Sequence, residues 1–404
     1  LGGLCFAELG AEMPVTGGMT TYLSKAYHPC VGFINGFSGF LLTGSGSIAA
    51  LALACVTPFQ EEFVLSDIWV KIIAIAIICI FTAINLYGVK HASSFQNFSM
   101  VVRVIPLILI IFIGIFFGKE TPNLNPGTAI QEGTSFTGVI SMIAFATFAS
   151  LWAYEGWTNL NTVAGEMKNP RKHLPLAIII SMGFITLVYT LFNLAIYRVI
   201  PSEEVNSMIA NGNLYLGTET AYRIMGNFGK WIVMIGMCIG IIGTAATVRN
   251  GDCLVFPRTY YAMARGGYFW KKFGELNSHS VPGFSILMSS AISIVLVVFN
   301  SLQQLTDLLI TTSALLNLLA VIAVLIFRKK YPDMKRPYKV WGGVPVIVLT
   351  ILFFVVLLVN QFVSDIRSSL IGFAIPVLCV PVYFYFRKKN GGVEYNNDEL
   401  EELE

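Results

Sequence analysis

Ala149-Ser-Leu-Trp-Ala-Tyr-Glu-Gly-Trp-Thr-Asn-Leu-Asn-Thr-Val-Ala-Gly-Glu-Met167 interrupts an otherwise apolar run spanning 137–163. Glu155 stands beside Gly156 near the middle of a stretch long enough to cross a bilayer, which takes about 20 residues. A carboxylate at that depth costs several kcal/mol and is kept there mainly for function. Glycine leaves helical geometry at little steric cost, and backbone groups freed inside a membrane are tolerated only against protein or a water-filled cavity. The stretch therefore predicts a discontinuous helix. The first half would end in carbonyls able to hold a cation or an ammonium group, and the N-terminus of the next half would favour a carboxylate. A glycine kink in a packed helix, with Glu155 paired or snorkelling, fits the same residues, so the break by itself leaves both readings open.

Outward from this stretch, nine further apolar runs reach spanning length: 30–58, 67–88, 96–118, 174–199, 229–256, 282–299, 305–327, 344–363 and 369–386. Of the 404 residues 55% are hydrophobic and 12% charged, against about 25% charged in an ordinary soluble domain. Mean hydropathy is +0.71. These values exclude a typical cytosolic enzyme, and a net charge of +3 without a basic block excludes a nucleic-acid footprint. The chain reads as one transmembrane domain, 1–386, followed by a tail, 387–404, that turns acidic from Val393.

Eighteen of the 26 Lys and Arg residues fall on one side of these spans, in clusters such as Lys168/Arg171/Lys172, Arg328–Lys330 and Arg387–Lys389. Five fall on the other side, and Lys71, Arg103 and Arg249 lie within spans. Basic loops face the cytoplasm, which predicts a cytoplasmic C-terminus. The piece Leu1–Met13 is apolar but too short to cross. It is expected to be the second half of a helix begun further upstream.

The seven cysteines lie in or at the ends of spans with no CxxC pattern, and read as small packing residues. His28, His91, His173 and His279 are far apart and lack metal-ligand spacing. No metal, cofactor or enzymatic chemistry is expected. A channel would need a polar ring or a symmetric filter, and the sequence offers neither.

Trp152-Ala-Tyr-Glu-Gly-Trp157, Leu160-Asn-Thr-Val163 and Glu166-Met-Lys-Asn-Pro-Arg-Lys-His-Leu-Pro-Leu-Ala177 together resemble the sixth-helix signature of the amino acid/polyamine/organocation superfamily, in its L-amino acid transporter family. Glu8-Leu-Gly10 with Pro14-Val-Thr-Gly-Gly18 resembles the end of that family's second helix. Gln96 with a cation seven positions on, at Arg103, resembles its fifth. Asn250-Gly251 with Arg258 and Tyr261–Arg265 resembles its eighth helix and the loop beyond. Arg328-Lys-Lys-Tyr-Pro-Asp-Met-Lys-Arg-Pro-Tyr338 resembles the loop after its tenth. The resemblance runs the length of the chain, in order.

It implies an all-α integral membrane protein with a five-plus-five inverted-repeat (LeuT-like) transporter fold, here ten full transmembrane helices plus half of another, with the first helix absent. It also implies roles. Trp152 would close over substrate, and Ala153, Tyr154, Glu155 and Gly156 would form the unwound stretch whose carbonyls bind it. Trp157 and Thr158 would open the second half-helix, Thr158 bearing on side-chain selectivity, and Asn250 would face the pathway. Arg103 stands where relatives often carry a lysine that replaces a coupling sodium ion, and its alternative role is an interior ion pair, with Glu8 as one partner. The Thr43-Gly-Ser-Gly-Ser47 run suits close helix packing more than substrate contact, and Arg249 with Asp252 suits local pairing.

The expected function is secondary active transport of L-amino acids, as a sodium-independent exchanger of neutral or small substrates working by alternating access in the cell membrane. A proton-coupled symporter or an amino acid/polyamine antiporter is the alternative, kept open by Glu8, Glu155 and Asp252. Partners would be the substrates and the lipid bilayer. Gln60–Ser66 holds no cysteine, where animal members of the family this chain resembles use one to bond a glycoprotein partner. The resemblance is therefore to bacterial members and implies no disulfide-linked heavy chain.

Overall fold

The computed structural model describes residues 1–15, 17–60, 62–87, 92–122, 135–210, 215–246, 255–279 and 281–392. The described residues form helices joined by turns. In chain order these are α1 (Gly2–Glu12), α2 (Gly18–Ala26), α3 (Pro29–Ser38), a π-helical turn (Gly39–Thr43), α4 (Gly44–Val56), α5 (Asp67–Tyr87), α6 (Ala92–Phe117) and α7 (Phe136–Tyr154). A 3-10 segment (Asn159–Glu166) leads to α8 (Pro170–Val199), α9 (Ser202–Ala210), α10 (Leu216–Ala246), α11 (Val255–Arg265), α12 (Gly283–Phe299), α13 (Leu302–Lys330), α14 (Gly343–Ser364) and α15 (Ile366–Lys389).

Among the described residues seven helical stretches are long and apolar enough to cross a membrane, and an eighth is a bent pair over 136–162. Two shorter apolar helices, Val104–Phe117 and Gly283–Phe299, complete the ten runs read from sequence. Their ends follow local chemistry. His28 accepts from the Cys30 amide with Pro29 at the first helical position, Ser135 caps α7 through Gly138 N–H, and Ser301 with Gln304 closes a full capping box on α13. Cationic last turns at Arg328–Lys330 and Arg387–Lys389 suit the negative ends of α13 and α15.

Among the described spans the α3–α4 stretch and α13 are the interior ones: 67% and 61% of their apolar windows are buried, against 17% for α5 and for α8. Peripheral helices instead expose Ile68, Ile72 and Ile80, or Leu349, Leu352 and Val356. An apolar surface of that extent marks a lipid-facing wall. Where helices meet, small residues let backbones approach. A Cβ at Gly114 of α6 would come within 2.8 Å of Ala195 in α8, and one at Gly236 of α10 within 2.6 Å of the Pro106 ring in α6. The Thr43–Ser47 run behaves as the packing reading expects. Gly46 lies under Leu309, Ser45 and Ser47 hydroxyls bond back to the Phe40 and Thr43 carbonyls, and Ser293 of α12 donates to the Ser45 carbonyl.

α10 begins at Leu216, well before the apolar run that starts at 229. Polar pairing explains the extension: Arg223 bonds Glu219 one turn earlier and Glu204 of α9. Those bonds hold the Glu204 carboxyl below the usual carboxylate range. Gly226, at φ 64°, breaks the helix where the polar start meets the apolar span.

Glu8 pairs with Arg328, at the end of α13; the Arg103 side chain, the partner weighed from the sequence, lies outside the described residues. Arg328 Nε and Nη2 each donate at 2.7 Å, and the Val340 amide adds a third bond at 2.6 Å. Glu12, on the same face of α1, pairs with Arg336, whose guanidinium also donates to the Phe327, Tyr331, Pro332 and Met334 carbonyls. Chain proximity gave no sign of this, since Glu8 and Arg328 are 320 positions apart.

Glu8 has no exposed surface, so losing its partner leaves a buried charge, at a cost of about 3–5 kcal/mol. Arg328→Gln is expected to lower thermal stability sharply, and Glu8→Gln/Arg328→Gln to lower it by much less than the two single losses added together. Additive losses in detergent-solubilised protein would show that the two groups do not act as a pair.

Candidate functional site

α7 stops at Tyr154 in the middle of its membrane run. The Glu155 amide closes a last tight turn onto the Trp152 carbonyl at 3.1 Å, Glu155 is extended (φ −62°, ψ 150°), and Gly156 takes φ 105°. A Cβ at Gly156 would meet nothing closer than Asn159 Nδ2 at 3.9 Å, so the backbone angle and not crowding calls for glycine there. The direction of the chain changes by 41° between 136–148 and 150–162. The expected discontinuous helix is present.

The second segment departs from expectation. Thr158 is the N-cap of a 3-10 segment, not the start of an α-helical half, and its side chain makes no capping bond. Asn169, in left-handed geometry at φ 52°, then turns the chain into α8, with Pro170 at its first position.

Each half of the break is held by different neighbours. On the first half, Tyr189 of α8 donates its hydroxyl to the Ala153 carbonyl at 2.9 Å and stacks edge-on against Tyr154 at 5.1 Å. Trp152, half-buried, packs against the cluster of Ala144, Phe148, Ile310 and Leu357, and against a second cluster shared by α4, α5, α12 and α13. Glu155 is exposed, and the Ser313 hydroxyl of α13 faces its carboxylate.

On the second half, Trp157 lies edge-on to Phe6 at 4.8 Å and fills the space over Gly2 and Gly3 of α1. Asn161, fully buried, presses on Gly10 so closely that a Cβ there would sit 2.3 Å from its Oδ1. Its amide has no hydrogen-bond partner among the described residues. The Gly17 amide donates to the Thr162 carbonyl at 3.4 Å, and Gly18, at φ 46°, abuts the backbone of Asn161 and Thr162. The corner between α1 and α2 thus clasps residues 157–162.

Trp152 to Gly156 therefore gather at the break, while Trp157 lies against α1 and Thr158 opens the 3-10 turn. Arg103 lies on α6, but its side chain is outside the described residues, and Asn250, Arg249 and Asp252 are outside them altogether. Tyr189 and Ser313 are contributors that the sequence reading missed. A Tyr or Ser in an apolar helix carries no signal of which distant carbonyl or carboxylate it will meet. Among the described residues no group of His, Cys, Asp or Glu is arranged to hold a metal ion.

A multi-pass helical membrane protein with a helix unwound at membrane depth has the architecture of a secondary transporter. The chain belongs to the amino acid permease family, whose model matches residues 1–386. It is 28% identical over 395 residues to the serine/threonine exchanger SteT of Bacillus subtilis (strain 168), covering 96% of this chain and 86% of that protein. It is 27% identical to the human cystine/glutamate transporter (95% and 75% covered) and 26% identical to the b(0,+)-type amino acid transporter 1 of Mus musculus (88% and 72%).

Gly156→Ala is expected to strain the break by about 1–3 kcal/mol and to reduce transport more than it reduces folded yield. Tyr189→Phe removes one net hydrogen bond, worth about 0.5–1.5 kcal/mol, and is expected to have a smaller effect. Uptake normalised to monodisperse protein measures both, and a fully active Gly156→Ala variant would detach the break from function.

Proposed function

We propose that this permease is a sodium-independent exchanger of small neutral L-amino acids, working by alternating access in the cell membrane with its C-terminus in the cytoplasm. The observation that carries the reading is the unwound stretch Tyr154–Gly156, with the Glu155 carboxylate facing Ser313 at membrane depth. A zwitterionic substrate needs its ammonium met by backbone oxygens without a competing fixed cation. The Trp152 and Ala153 carbonyls already accept bonds from Glu155 N–H and Tyr189 O–H. The reading therefore assigns the ammonium to the carbonyls of Tyr154 and Glu155, with Trp152 as the closing aromatic, Gly156 as the pivot, and Trp157, Thr158 and Asn250 along the remaining wall.

Exchange, in place of net uptake, is supported by Arg103. A guanidinium keeps its proton throughout the physiological range, so a cation at that position serves as a fixed charge and not as a coupling proton. The names of the relatives, a serine/threonine exchanger among them, agree with an exchange mode and a small polar or neutral substrate. The imbalance of basic residues across the spans supports the proposed orientation.

The test is uptake of labelled serine, alanine, leucine and arginine into sodium-free proteoliposomes at fixed pH, empty or preloaded with unlabelled amino acids. Uptake confined to preloaded vesicles, greatest for serine or alanine, is the expected result. Uptake into empty vesicles driven by a proton gradient would overturn exchange in favour of symport and place the coupling proton on Glu155. Uptake of none of the four would overturn the substrate class.

A further inference from the structure

Cys55, near the end of α4, and Cys238, within α10, are 183 positions apart in sequence, yet their Sγ atoms lie 3.4 Å from each other. The Cys55 thiol donates to the Cys238 sulfur, and the Cys238 thiol donates to the Cys55 carbonyl, also at 3.4 Å. Both are free thiols. A packing role for two small apolar residues needs neither the sulfur-to-sulfur approach nor the reciprocal bond across a helix interface.

We propose that Cys55 and Cys238 form a dithiol modification site, whose oxidation to a reversible disulfide staples α4 to α10 and slows transport. A disulfide has S–S of about 2.05 Å, so closure asks for roughly 1.4 Å of approach. The two sulfurs differ in access, Cys55 being 5% exposed and Cys238 half-buried. Cys238 therefore takes the reagent and Cys55 resolves it.

With an azodicarboxamide oxidant the step balances. The Cys238 sulfur adds to one nitrogen of the N=N bond, and its proton goes to the other nitrogen. The Cys55 sulfur then attacks the Cys238 sulfur, the S–S bond forms as S–N breaks, and the second proton leaves with the hydrazide. Two thiols lose two electrons, and the azo group gains them.

The staple bears on transport through where the two helices flex. α4 follows the π-helical turn Gly39–Thr43, and α10 carries the Gly226 break. Non-α turns and positive-φ glycines are the places where membrane helices bend. Cys55 and Cys238 lie beyond both breaks, so bending at either shifts one sulfur against the other. Trp152 packs against the apolar cluster to which α4 contributes Ala49, Ala50 and Leu53. Fixing α4 to α10 therefore restrains one side of the candidate substrate site. This consequence rests on the transport reading, whereas the disulfide itself does not.

The experiment treats the protein in proteoliposomes with the membrane-permeant azodicarboxamide diamide, then alkylates free thiols and maps peptides without reduction. The expected result is a linked pair of peptides containing Cys55 and Cys238, loss of two alkylatable thiols, and a several-fold drop in amino acid exchange that dithiothreitol restores. Cys55→Ala and Cys238→Ala are each expected to keep exchange and lose its sensitivity to the oxidant. If a variant folds poorly, the peptide map of the unsubstituted protein still decides the linkage. No such peptide, or linkage to other cysteines only, overturns the site, and complete linkage with unchanged exchange overturns the control of transport. Absence of exchange before oxidation would instead count against the proposed function, so the two failures are distinguishable.

Discussion

Backbone N–H and C=O groups at membrane depth must find partners within the protein, because lipid offers none. Everything about residues 149–167 follows from that constraint. α7 can end at Tyr154 because the Glu155 amide turns back onto Trp152, and because the Tyr189 hydroxyl reaches across from α8 to the Ala153 carbonyl. The same demand explains why hydroxyls elsewhere in the spans bond back to carbonyls one turn earlier, as Thr57, Thr82 and Thr186 do. A polar site in such a protein is the small set of backbone groups that the fold declines to pair.

The break is supported unequally. Its first half leans on α8, α13 and α14, and its second half is clasped by the corner between α1 and α2. α1 is itself tied to the end of α13 by Glu8 with Arg328, and to the loop beyond that helix by Glu12 with Arg336. Buried ion pairs are better suited to specifying one arrangement over another than to adding stability.

Much of this was legible in the chain. The ten apolar runs, the carboxylate beside a glycine at mid-span and the small-residue stretch Thr43–Ser47 are local patterns, and local patterns survive folding in a membrane because the lipid leaves few alternatives to helix. The errors came where tertiary contact decided. The order of helices gave no sign that Glu8 would meet Arg328, whose two bonds, with a third from the Val340 amide, satisfy one carboxylate. The residues after Gly156 looked helical but wind as a 3-10 segment, with Gly10, Gly17 and Gly18 packed closely against Asn161 and Thr162. Cys55 and Cys238 looked like filler until two distant helices brought them together.

The sequence by itself determined the environment, the number of apolar runs and the place where one of them must break. Each depends on hydrophobicity and backbone chemistry within about 20 neighbouring residues. Only the tertiary structure decided which side chain closes each carbonyl at the break, which arginine neutralises each buried carboxylate and which thiols face one another. Those choices are made between residues tens to hundreds of positions apart, where the relative rotation and depth of packed helices, and not the order of the chain, set the distance.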